Sequence, residues 1–289
     1  MVTPFDSGGE VDYPQARQLA LALLDSGSDG VVVAGTTGEA PTLTHEEKMH
    51  LFAEIKGAVG SRGAVIAGTG TYNTAQSAGL SREAESAGVD ALLLTTPYYN
   101  RPTQEGIYRH FETIAEATSL PCIIYNIPGR TAVNVTAETQ LRLAQVPNIV
   151  GVKEASGDLA QISRVIDGAP PGFHVWSGDD QLTLPILSVG GYGVICVVSH
   201  LVGRQMRGMI DDYLAGRVQE AAAGHRRLLP LMQILMTASS NPVPVKHALN
   251  NIGFNAGGVR LPLVGVDEAT GERIMAEVRR HHVDLGVTV

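Results

Sequence analysis

The segment NIVGVKEASGD, residues 148–158, carries an apolar run into a lysine. Lys153 is one of only four lysines in the chain, with Lys48, Lys56 and Lys246. A free lysine titrates near 10.4, so presenting its neutral form at pH 7 costs about 4.6 kcal/mol. Burial beside Ile149, Val150 and Val152 would penalise the ammonium ion and recover much of that cost. A neutral amine facing a cavity attacks a ketone and forms a Schiff base, an electron sink for carbon–carbon bond chemistry. The plainer reading is a structural lysine paired with a carboxylate, for which Glu154 is the nearest candidate. Adjacent residues of a strand point to opposite faces, so Glu154 should turn away from Lys153.

Other reactive groups also follow apolar runs: Thr36 and Thr37 in GTTGEA, Tyr98 and Tyr99 in PYYNRP, Tyr125 and Arg130 in YNIPGRT, Gly178 and Asp179 in SGDD, and Ser199. The two threonines precede the helix cap at Thr44 by a full loop, so they are not needed as capping hydroxyls. With nearby backbone N–H groups they could hold a small carboxylate, or they could belong to a glycine-rich turn. A tyrosine at a strand end can relay protons, and an arginine can grip a carboxylate with two parallel bonds. A rim tyrosine and a surface ion pair are the plainer readings of Tyr125 and Arg130. PYYNRP reads as an aromatic turn or a subunit contact, and SGDD as a turn and helix cap whose carbonyls could meet a ligand. This set lacks the His and carboxylate cluster of a catalytic metal site. His45 and His50 lie five apart, whereas HExxH needs a spacing of four, so both read as solvated helix residues.

The elements that would position these groups recur with one rhythm. Short apolar, often β-branched runs alternate with helix-like stretches, as in GVVVAGTTGEA, AVIAGTGTYN, ALLLTTPYYN, CIIYNIPGRT, IVGVKEASGD, HVWSGDD and YGVICVVSH. Continuous runs of this kind suit parallel strands covered on both faces. Thr44 with Glu47 and Asn73 with Gln76 have the spacing of capping boxes. Counting MVTPF as a first strand gives eight units, which predicts a (β/α)8 TIM barrel with its reactive groups where strands end. A doubly wound dinucleotide fold fits less well, because GTGTYN has Asn73 where a third glycine belongs. Residues 1–221 are expected to form the barrel that carries the active site, and 222–289 a C-terminal helical extension packed on it.

The 289 residues are 44% hydrophobic and 17% charged, with a net charge of −8, which argues against nucleic acid or anionic membrane as partner. No apolar run approaches the ~18 residues of a membrane span, and the opening does not resemble a signal peptide. Cys122 and Cys196 lie inside apolar runs and read as buried, reduced thiols of a cytoplasmic protein.

Together GTTGEA, TPYYNRP, YNIPGRT, GVKEASGD, SGDD and NPVPVKHAL resemble, in order and over nearly the whole chain, the dihydrodipicolinate synthase family of pyruvate-dependent class I lyases. The resemblance implies that Lys153 forms an imine with pyruvate, without metal or other cofactor. It implies that Thr37, with the Thr36 loop, holds pyruvate's carboxylate, and that carbonyls of Gly178 and Ile195 line the same pocket. Tyr125 would be the central acid and base, in a proton relay with Thr36 and with Tyr99 from a neighbouring subunit. The enamine would attack aspartate β-semialdehyde and give 4-hydroxy-tetrahydrodipicolinate for diaminopimelate and lysine synthesis. The expected assembly is a homotetramer, a pair of tight dimers.

Sister enzymes that cleave N-acetylneuraminate or keto-deoxy sugar acids use the same lysine. PGRT, with Arg130 as clamp for the semialdehyde carboxylate, favours the synthase. A barrel that binds a keto acid without turnover is a different class of answer, and a metal-dependent aldolase a more distant one. Family members carry several residues ahead of VTP, so the first strand is expected to be short. At the family's lysine-inhibition site His45 and Tyr98 match, but Ala40, Pro41, Lys48, Tyr72 and Gln76 do not, so inhibition by lysine is expected to be weak or absent.

Overall fold

The structure is a computed structural model and describes residues 1–286. Seven strands form, and they are hydrogen-bonded in chain order: β1 Gly30–Val33, β2 Ala64–Gly68, β3 Ala91–Thr95, β4 Cys122–Asn126, β5 Ile149–Glu154, β6 His174–Ser177 and β7 Gly193–Val194. From β2 onward each pairs in parallel with the next, and helices alternate with strands throughout. This succession is that of the (β/α)8 barrel class. Among the described residues, 1–65 together with 197–286 form one compact unit, and 66–196 form another.

In the second unit the strands are the apolar runs read from the sequence. All five residues of β4 are buried, as a strand covered on both faces requires. The helix starts follow local chemistry. In the first unit Thr44 Oγ1 accepts the Glu47 N–H at 3.1 Å while Glu47 Oε2 accepts the Thr44 N–H at 2.8 Å, a complete capping box. In the second, Asn73 Oδ1 accepts the Gln76 N–H at 3.1 Å, but the Gln76 side chain meets the Thr71 hydroxyl instead, so only half of that box forms. Asp179 caps the short turn after β6 by accepting the Gln181 N–H at 2.9 Å. Past β7 the described residues form helices Ser199–Leu214, Val218–Thr237, Val243–Asn251 and Glu268–Val278.

The opening MVTPF differs from expectation. It forms no strand; Phe5 and Val11 share a single antiparallel bridge. Its donors are spent elsewhere in the first unit. Met1 N donates to Val32 O at 2.6 Å, Val2 N to His200 Nε2 at 3.0 Å and Phe5 N to Ala256 O at 3.2 Å. Pro4 has no N–H to give. A ladder needs alternate donors along one neighbour, and these go to three different ones.

The His200 contact fixes a tautomer. Nδ1 lies 2.8 Å from Val197 O, so it carries the proton and leaves Nε2 as the acceptor for Val2. Burial, reinforced by the nearby amino terminus, pushes the imidazole pKa down to about 3. An unfolded histidine titrates near 6.5, so below that pH the unfolded chain binds a proton that the folded one refuses. This group therefore contributes nothing adverse above pH 6.5 and destabilises the fold progressively as pH falls towards 3. Denaturant titrations between pH 7 and 5 should show stability falling by up to about 1.4 kcal/mol per pH unit from this site. His200→Gln should be less stable at pH 7 but lack that component of the slope; an unchanged slope would show that His200 is not its source.

Candidate active site

The register of the second unit places Thr95, Tyr125, Lys153 and Trp176 in one row across β3, β4, β5 and β6. Paired residues of parallel strands share a face, so Tyr125 and Lys153 project together. Lys153 Nζ lies 4.3 Å from the centre of the Tyr125 ring. Tyr125 is buried and Lys153 is half-buried at the end of its strand. Among the described residues no carboxylate forms an ion pair with Lys153.

Glu154, the candidate partner, faces the other way as the pleat demands. It is buried, and its carboxylate accepts from Asn126 Nδ2 at 3.1 Å, Gln140 Nε2 at 2.9 Å and the Ser156 N–H at 2.7 Å. These neutral donors satisfy it without a cation. The same network reaches the loop after β4, since Asn126 Oδ1 accepts the Val135 N–H at 3.0 Å and Asn126 Nδ2 bonds Asn134 Oδ1 at 2.8 Å. Glu154 therefore ties β4 to β5 behind the Tyr125–Lys153 row.

Burial pushes the Lys153 pKa down to about 8; Asp180 and Cys196 oppose the shift, and the positive charge of Arg130 adds to it. At pH 7 about one molecule in ten then holds the neutral amine, against a few in ten thousand for a free lysine. Gly178, at the end of β6, makes room for this side chain. A Cβ there would stand 3.1 Å from Lys153 Cγ and 2.9 Å from Ala155 Cβ. The Gly178 N–H continues the ladder to Glu154 O at 2.7 Å, and the Ile195 N–H does the same to Ser177 O at 2.9 Å. Cys196, next in the chain, is half-buried rather than buried as its apolar run suggested; Cys122 is buried, which pushes its thiol up to about 12.

Arg130 lies in the short helix Pro128–Thr131, and its guanidinium is exposed with no partner among the described residues. The surface ion pair that the sequence allowed is therefore not made. Tyr99 is 93% exposed and has φ +73, with the Asn100 N–H turned back to Tyr98 O at 2.9 Å. An aromatic residue at the centre of such a three-residue turn is strained, and strain of this kind accumulates at functional positions. Tyr98 stays half-buried with its ring edge-on to Tyr72, 5.1 Å between centres.

In the first unit Thr36 and Thr37 follow β1 and are half-buried. Thr37 Oγ1 accepts from Asn241 Nδ2 at 2.9 Å. Glu39 is buried and bonded to Lys246 Nζ at 2.9 Å, itself 2% exposed. Sequence reading assigned no role to Asn241 or Lys246, although the scarcity of lysine was a usable signal for Lys246. His45 and His50 are exposed helix residues.

A parallel β/α succession with a dehydrated lysine at a strand end, in no ion pair among the described residues, fits the class I lyases. The chain belongs to the dihydrodipicolinate synthetase family, whose model matches residues 1–281. It is 59% identical to 4-hydroxy-tetrahydrodipicolinate synthase of Moorella thermoacetica, over 96% of this chain and 95% of that one. The dihydrodipicolinate synthase DapA-2 of Bacillus anthracis superposes with a TM-score of 0.95 at 43% identity, covering 96% of this chain and 95% of that one. The synthase of Cyanidioschyzon merolae, solved with lysine bound, gives the same TM-score and identity over 97% of this chain and 95% of the other.

An amine held at a depressed pKa weighs on stability. Below pH 8 Lys153 is charged in both folded and unfolded states, and the full penalty applies; it fades as pH rises from 8 towards 10.5. Lys153→Met should raise stability at pH 7 by on the order of 2 kcal/mol, several degrees in melting temperature. The gain should shrink by pH 10. Equal melting temperatures at pH 7 would mean that the ammonium ion is well solvated.

Proposed function

We propose that this enzyme condenses pyruvate with aspartate β-semialdehyde through an imine on Lys153, releasing 4-hydroxy-tetrahydrodipicolinate for diaminopimelate and lysine synthesis. The observation that carries the reading is the unpaired amine of Lys153 over the Tyr125 ring, within a chain 59% identical to a synthase of that name. The neutral amine attacks the pyruvate ketone, and loss of water gives the imine. Loss of a methyl proton then gives the enamine that adds to the aldehyde; the amine of the semialdehyde attacks the resulting imine carbon, closes the ring and expels the Lys153 amine. Tyr125 is the acid and base for these transfers, supported by its shared row with Lys153. Thr36, with Tyr99 from a neighbouring subunit, completes the relay. The exposure and strained backbone of Tyr99 support that part.

Thr37 holds the pyruvate carboxylate, and carbonyls of Gly178 and Ile195 line the pocket. Arg130, exposed and without an ion-pair partner among the described residues, clamps the semialdehyde carboxylate. The reaction takes no metal and no cofactor beyond the imine. The assembly in this reading is a homotetramer, a dimer of dimers; a second copy's Tyr99 in the relay gives the dimer within it a catalytic reason. No helix among the described residues is long and apolar enough to cross a membrane, which is compatible with a cytoplasmic setting. Residues 222–289 serve as a helical extension to the barrel of residues 1–221.

Condensation coupled to an NADPH-dependent reductase tests the reading. Wild type should consume NADPH rapidly, and Lys153→Ala should lose at least a thousandfold in kcat. Arg130→Ala should raise KM for the semialdehyde about tenfold or more and leave borohydride trapping of pyruvate intact. Trapping without condensation would instead identify a sister sugar-acid lyase or a keto-acid binder.

Lysine at millimolar concentration should slow the purified enzyme little. Lys48 places a cation where the ligand is cationic, and Gln76 removes a countercharge. Strong inhibition would show that other groups supply the site.

A further inference from the structure

The segment NPVPVKHAL, residues 241–249, contributes no group to the chemistry described above, yet two of its side chains, Asn241 and Lys246, reach the turn after β1. Asn241 is 6% exposed and donates Nδ2 to Thr37 Oγ1 at 2.9 Å. Lys246 donates Nζ to Glu39 Oε1 at 2.9 Å and to Gly258 O at 2.5 Å. The other Glu39 oxygen accepts the Arg260 N–H at 3.0 Å. Glu39 itself has a left-handed backbone, φ +56, and its N–H donates to Thr36 O at 3.1 Å. The turn is thus held at one end through a hydroxyl and at the other through a buried ion pair.

The Asn241 contact has a chemical consequence. A threonine hydroxyl has one proton and two lone pairs. An N–H that occupies a lone pair of Thr37 Oγ1 offers nothing for the hydroxyl proton to bond, so that proton is directed away from Asn241. An acceptor at position 241 would draw the same proton inward. The orientation of the amide is set by the cost of the alternative. As placed, Asn241 Oδ1 lacks a partner among the described residues. Turned over, the buried amide would give up its donated bond to Thr37 Oγ1, and buried N–H groups without partners are the rarer and costlier case.

We propose that Asn241 is a positioning residue that makes Thr37 a hydrogen-bond donor and so sets the affinity for the pyruvate carboxylate, while the Lys246–Glu39 pair fixes the backbone of the turn. The inference rests on the reading of Thr37 as the carboxylate-binding hydroxyl. Asn241 touches the substrate nowhere in this scheme and acts through Thr37.

Steady-state kinetics with pyruvate and with semialdehyde as the varied substrate test this in Asn241→Asp, Asn241→Ala, Thr37→Val and the double variant Asn241→Ala/Thr37→Val. Melting temperature reports folding, and borohydride trapping of pyruvate on Lys153 reports the imine. Asn241→Asp keeps the shape and lacks the donor, so it serves if the alanine variant does not fold. Both Asn241 variants should raise KM for pyruvate about tenfold with KM for the semialdehyde within about twofold. The double variant should be no worse for pyruvate than Thr37→Val alone, because both changes remove one interaction. A wild-type KM for pyruvate in Asn241→Asp, with Thr37→Val impaired, would overturn the inference and leave the carboxylate reading standing. Additive losses in the double variant would overturn it likewise. An unimpaired Thr37→Val, with imine trapping intact, would remove the carboxylate role of Thr37 and this inference together.

Discussion

Dehydrating an ammonium ion without giving it a counterion is the constraint around which the second unit is arranged. Lys153 could shed that cost by pairing with a carboxylate, and the carboxylate next to it in sequence is kept from doing so. The pleat of β5 sends Glu154 to the opposite face, where Asn126, Gln140 and Ser156 saturate it with neutral donors. What remains near the amine is the face of Tyr125, room left by the missing Cβ of Gly178, and the charges of Asp180 and Cys196, which oppose the loss of its proton, and of Arg130, which favours it. Replacing this lysine would relieve that cost and remove the amine with it.

Lys153 and Lys246 make the point by contrast. Lys246 is 2% exposed and also follows an apolar stretch, PVPV. Its ammonium ion has Glu39 at 2.9 Å and the Gly258 carbonyl, and its ring contact with Phe5 is 4.1 Å from the centroid. Burial lowers its pKa, while Glu39 opposes the change. One lysine is thus a fixed cation that braces a turn, and the other an amine that can be freed of its proton. Removing Glu39 alone would strand a buried charge, which is why such a pair is strict about its members.

Polar groups do the positioning in both units, and apolar burial supplies the frame. The amide network behind Lys153 joins β4, β5 and the loop that carries Arg130. In the first unit a neutral histidine, an asparagine and an ion pair fasten the opening segment and the turn after β1. Each is buried or nearly so, so each is costly to leave half-satisfied. That cost fixes the geometry more narrowly than packing of interchangeable aliphatic groups would.

Much of this was legible in the sequence because it is local. Strand runs such as CIIYN, the Thr44–Glu47 cap and the opposed faces of Lys153 and Glu154 depend on residues a few positions apart. The β/α order then followed from the spacing of those runs. Other features were decided only by the fold. MVTPF lost its place as a strand because its donors meet Val32, His200 and Ala256, far along the chain. Nothing near Lys246 in sequence announces Glu39, and nothing near Thr37 announces Asn241. By itself the sequence determined which residues could be strands, caps and nucleophiles, since propensity and periodicity act over a few residues. Which lysine is paired, which hydroxyl is oriented and which tyrosine is left in solvent were decided by tertiary structure, because those outcomes depend on groups that only folding brings within hydrogen-bonding reach.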